Sequence, residues 1–164
     1  MTYSNDAANA VQEGARKLRV PVLRVNVVRE GSAESPCGNL IRSPRDIAIL
    51  LRHFFDGEER EHHVALLLDT RNRIKAIVPV SVGNLDSAIV HPRETFRAAI
   101  LYGAASIVVV HNHPTGNPSP SPEDIACAKR LKECGELLGI ELLDSVIVGD
   151  NSHTSLKETG YLTP

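Results

Sequence analysis

Six uncharged residues, Ala105-Ser106-Ile107-Val108-Val109-Val110, run directly into His111-Asn112-His113-Pro114-Thr115-Gly116. A run that is short, apolar and rich in β-branched residues suits a buried strand. Side chains alternate faces along an extended chain, so His111 and His113 project to the same side. Pro114, Thr115, Gly116, Asn117 and Pro118 then stop the strand and turn the backbone. Ser121-Pro122 opens a helix, with Ser121 as its cap and Pro122 in the first position. Asp124 therefore falls in the first helical turn, facing back toward the strand end. Two histidines and an aspartate are suitable zinc ligands, and three protein ligands leave a fourth position for water. A structural reading also exists: Ser121-x-x-Asp124 resembles a capping box, although the usual partner is Glu or Gln. The conjunction of strand, His-x-His, forced turn and capped helix favours a metal site. The letters His-Asn-His do not make an HNH nuclease, whose three residues come from well-separated positions.

The rest of the chain supplies strands and helices around this centre. Pro21–Val28 alternates β-branched and polar residues and reads as a first strand, preceded by a weak polar helix over 5–18. Ser43-Pro44 caps a helix whose Ile47, Ile49, Leu50, Leu51, Phe54 and Phe55 form a broad apolar face. Residues 62–69 suit a central strand, joined by a turn at 70–73 to a second strand over 74–82. A helix over 92–102 carries Phe96, Ala99 and Ile100 inward. The helix over 122–138 does the same with Ile125, Ala128, Leu131, Cys134 and Leu138, stopping at Gly139. Strands over 140–148 and 153–156 complete an α/β fold, a single mixed β-sheet flanked by helices.

At 164 residues the chain suits one domain with a core large enough to fold alone. A net charge of −2 gives no bulk reason to expect a nucleic-acid partner. Arg93, Arg97, Lys129, Arg130 and Lys132 are explained as solvated helix faces. Cys37, Cys127 and Cys134 are odd in number and lack Cys-x-x-Cys spacing, which suits a reducing, cytoplasmic compartment. Met1–Asp6 has no basic region leading into an apolar run, so no signal peptide is expected. No apolar segment approaches membrane-spanning length.

The spacing His111-x-His113, Ser121, Asp124 resembles the JAMM motif of MPN-type metalloproteases. His91-Pro92-Arg93-Glu94-Thr95-Phe96, His111–Gly116 and Leu142-Leu143-Asp144 look like the RadC branch of that superfamily, over residues 38–162. The resemblance implies an MPN arrangement similar to that of cytidine deaminases. It implies a zinc ion on His111, His113 and Asp124, and hydrolysis of a peptide or isopeptide-like amide bond in a peptide or protein substrate. It places at Glu61 the glutamate that activates water, and at Ser121 a hydroxyl donor to the developing oxyanion, the kind of group typically worth roughly 3 kcal/mol.

Two departures accompany the resemblance. Residues 1–37, an arm with the first strand, hold no helix-hairpin-helix region, leaving 38–164 as the metal-binding domain. Ser145 stands where the branch usually has histidine. Alternatives remain open at several positions. Glu61 also reads as a solvated residue of the acidic stretch 58–61, and Glu94 competes for the role of base. His53, His62, His63 and His153 read as surface or structural, while His91 and Arg93 suit ion pairs or substrate contact. A RadC-like, DNA-repair-associated module with a non-catalytic metal is the second functional reading. A zinc deaminase ranks last, because its His-x-Glu and Cys-x-x-Cys are missing. Substrate identity and oligomeric state are not written in the motifs.

Overall fold

Strand β1 (His62–Leu68) turns through Asp69–Arg73 into β2 (Ile74–Val82), and the hairpin is antiparallel. The turn is local chemistry: Asp69 Oδ1 accepts from the backbone N–H of Arg71 at 2.8 Å and of Arg73 at 3.0 Å. Asn72 takes the left-handed conformation that asparagine tolerates. Strand β3 (Ser106–Asn112) pairs antiparallel with the other side of β1, and β4 (Glu141–Val148) pairs parallel with β3. A short β5 (His153–Ser155) closes the five-stranded order β2-β1-β3-β4-β5. These statements come from a computed structural model that describes residues 21–35, 38–83 and 90–163.

Three helices cover the sheet. Helix α1 (Pro44–Phe55) starts at a capping box made by Ser43 and Asp46 and buries Ile47, Leu50, Leu51 and Phe55. These pack on Val64, Leu66, Leu68, Val108, Val110 and Val146, one face of the central strands. The opposite face carries Ala65, Leu67, Ile107, Val109 and Ile147. It is covered by Phe96 and Ala99 of α2 (Pro92–Tyr102) and by Ala128 and Leu131 of α3 (Pro122–Leu138). Strand β3 is buried along its whole length because both faces are covered. The chain is thus an α/β domain built on one mixed sheet, as its pattern of elements predicts.

Several expectations need correction. Residues 21–28 form no strand; they are exposed, with Val22 at 99% and Leu23 at 82%, and pair with no described strand. The alternation is there but a neighbouring strand is not, and a strand without a partner is not stable in water. Ile100 is 55% exposed because the buried stripe of α2 is Pro92, Thr95, Phe96 and Ala99, and Ile100 lies about a quarter turn away from it. Leu138 is also exposed, in the last turn of α3 ahead of the Gly139 cap. Phe54 points outward while Phe55 packs. The proposed helix over 5–18 and Cys37 lie outside the described residues. No helix among the described residues is long and apolar enough to cross a membrane.

Candidate metal centre

Strand direction assembles the site. Because β1 runs against β3, the start of β1 lies beside the end of β3, and His63 pairs with His111 in the ladder. Because β4 runs with β3, the end of β4 is there too: His113 N–H donates to Val148 O at 3.1 Å just beyond the strand. Helix α3 brings Asp124 to the same point through the turn over 114–120.

The sequence-predicted residues do meet. His111 Nε2 and His113 Nε2 are 3.2 Å apart; Asp124 Oδ1 is 3.2 Å from the first and Oδ2 is 3.4 Å from the second. Glu61 Oε1 stands slightly apart, 3.8 Å from His111 Nε2. Donor atoms of all four residues lie within 4.8 Å of one another, an arrangement that could hold a metal ion. The His113 ring is oriented from behind by Nδ1, which donates to Asn117 O at 2.8 Å and leaves Nε2 facing the cluster.

Electrostatics follow from burial and proximity. Burial opposes ionisation of Asp124, yet hydrogen bonds with His111, His113 and Ser121 prevail and hold its carboxyl far below the usual carboxylate range. Burial lowers His111, against the pull of Asp124. His113 is raised, chiefly by its contact with Asp124. Burial would raise Glu61, but His63 and His111 outweigh it and the carboxyl is lowered, hence ionised at neutral pH.

Ser121 makes the capping box that its spacing suggested. Its Oγ accepts from Asp124 N at 3.1 Å and donates to Asp124 Oδ2 at 2.7 Å, so helix cap and cluster share one carboxylate. His91 caps α2, its Nδ1 accepting from Arg93 N at 3.1 Å; neither residue joins an ion pair among the described residues. Glu94 pairs with Arg97 at 3.1 Å, and the metal cluster contains Glu61 rather than Glu94.

Two residues of the site went unread in the sequence. His63, taken as structural, stacks on His111 with ring centroids 4.7 Å apart and places Nε2 2.8 Å from Glu61 Oε1, off the line of an ideal hydrogen bond. Period-two alternation along β1 carried that signal, since His63 shares a face with Ala65 and Leu67. Asn112, between the two histidines, points to the other face. Its Oδ1 accepts from His62 N at 2.7 Å and its Nδ2 donates to Arg60 O at 3.1 Å, clamping the backbone on both sides of Glu61. Ser145 is buried behind His111 and, with His63 and Asp124, lines a cavity of about 20 Å³, room for a water molecule. On the outer side, His113 borders a groove of about 700 Å³ whose walls include Arg52, Asp56, Glu58, Glu59 and Asp150.

Fold and cluster together define a JAB-type domain with a constellation of residues that could hold a metal ion. Residues 41–161 match the RadC-like JAB domain family, and the chain belongs to it. It is 50% identical over 123 residues to a UPF0758 protein of Desulforamulus reducens, covering 75% of this chain and 54% of that protein. A UPF0758 protein of Shouchella clausii is 49% identical over 122 residues, covering 74% of this chain and 53% of the relative. The chain thus spans about half the length of these curated relatives.

Proposed function

We propose that the domain is a JAMM-type zinc hydrolase that cleaves a peptide or isopeptide-like amide bond. One observation carries the reading. The Nε2 atoms of His111 and His113 are 3.2 Å apart, close to the about 3.3–3.4 Å that separates tetrahedral zinc ligands at 2.0–2.1 Å from the ion, and Asp124 sets Oδ1 3.2 Å from the first and Oδ2 3.4 Å from the second. A zinc ion held by His111, His113 and Asp124 would supply a Lewis acid and would lower the pKa of water toward neutrality. Glu61, ionised and just outside the triangle of donors, takes the proton of the attacking water and passes it to the departing amine nitrogen. Ser121 turns its hydroxyl from Asp124 to the developing oxyanion. Asn112 and His63 hold Glu61 in place from its backbone and its carboxylate. The groove beside His113 admits the substrate chain, and free Cys127 and Cys134 suit a reducing cytoplasm.

The test is proteome-derived peptide profiling of the zinc-loaded protein against Glu61→Gln. Cleavage products should appear with wild type and drop about 10²–10⁴-fold with the variant. Equal products from both proteins would remove Glu61 from the mechanism, and a protein that takes up no zinc would remove the reading altogether.

A further inference from the structure

Residues 21–28, ahead of α1, carry the alternation of a strand and pair with no described strand. Leu23, Val25 and Val27 alternate with Arg24 and Asn26, the pattern that sets one apolar row on an extended chain, and Val22, Val25, Val27 and Val28 are each more than half exposed. Exposed strands of this composition are templates for pairing with another chain.

A matching edge exists in the same molecule. β2 is the last strand of the sheet, nine residues long, and among the described residues only its first position, Ile74, is engaged on the outer side, donating to Asn39 O at 2.7 Å. From Lys75 to Val82 no described strand covers that edge. Ala76, Val78 and Val80 form an apolar row there that is only partly buried against the core. β5, the other edge, is three residues long and offers too few ladder bonds.

No described stretch of this chain fills that edge. Directly before the Leu40–Arg73 bridge, Gly38 N–H donates to Ser35 O, and Gly38 adopts positive φ. We propose that residues 22–28 add to the β2 edge of a second copy, reciprocally, giving a two-fold dimer joined by exchanged strands. Leu23, Val25 and Val27 then extend the row of Ala76, Val78 and Val80 across the interface. Pro79 has no N–H, so the added ladder has a gap in its donors, which favours one register over its neighbours. An isologous exchange uses each arm and each β2 edge once and so closes as a dimer.

The test combines mass and amide exchange on the full chain at several concentrations, for wild type and for V25P with V27P. The arm lies outside the core and the metal centre, so zinc content and circular dichroism of the variant should match wild type. Support is a wild-type dimer, monomeric in the proline variant, with protection of 22–28 and of β2 that rises with protein concentration. A monomer at every concentration overturns the proposal, and so does a dimer indifferent to the prolines. Arm protection that is independent of concentration places the arm on its own β2 and overturns it equally.

Discussion

Asn112 and Glu61 are tied to each other although 51 positions separate them: the Asn112 amide bonds the peptide groups of Arg60 and His62, the residues flanking Glu61. The asparagine sits between two metal-cluster histidines but serves the opposite face of the strand. Asn112→Ala leaves a backbone donor and acceptor unpaired and should cost about 1–3 kcal/mol in stability. Chemical denaturation of the metal-free protein reads this directly. Zinc stoichiometry should be unchanged, since the ligand side chains remain.

Metal content separates ligands from base. His113→Ala and Asp124→Ala should abolish stoichiometric zinc, whereas Glu61→Gln should keep it, as read by inductively coupled plasma mass spectrometry. As the proposed ligand of the folded state, zinc added at 100 times its dissociation constant should raise stability by about 2.7 kcal/mol. A chelator should reverse the gain.

Proton release gives the pH dependence. His113 has a raised pKa, held up mainly by Asp124, and its imidazolium must lose a proton before Nε2 can bind a cation. In the metal-free protein that charge stabilises the fold fully below the unfolded value and is lost as pH rises through the raised one. Zinc affinity runs the other way, weakening as pH falls below the raised value. His111, lowered by burial, is already neutral there. Calorimetry in buffers of different ionisation enthalpy should find roughly one proton released per zinc in that window.

The metal loop is seated by two glycines. A Cβ on Gly149 would lie 2.2 Å from Gly116 O, and one on Gly116 would lie 2.3 Å from the Asp150 carboxylate. Gly116 also adopts positive φ. Gly149→Ala should therefore push the 113–117 turn off β4 and weaken zinc binding without touching a ligand, which a competition titration with a chromophoric chelator would reveal.

Much of this was legible from residue order. Ser43, Pro44 and Asp46 announce α1, and Pro114–Pro118 announces the turn that delivers Asp124, because capping and proline geometry are local. The His111–Asp124 meeting is nearly local too, since one turn joins strand to helix. The rest depended on which strand lies beside which. His63 looked like an ordinary histidine until β1 paired with β3 and put it against His111. Asn112 could not be connected to Glu61 without that same register. The arm over 21–28 shows the converse: a strand's alternation does not create the neighbour that would make it a strand.

Six antiparallel residue pairs, from His63–His111 to Leu68–Ser106, bring the end of β3 beside Glu61, and residues 69–105 lie outside that ladder. The spacing of Glu61 and His111 is therefore set by strand register and not by the number of residues that join β1 to β3.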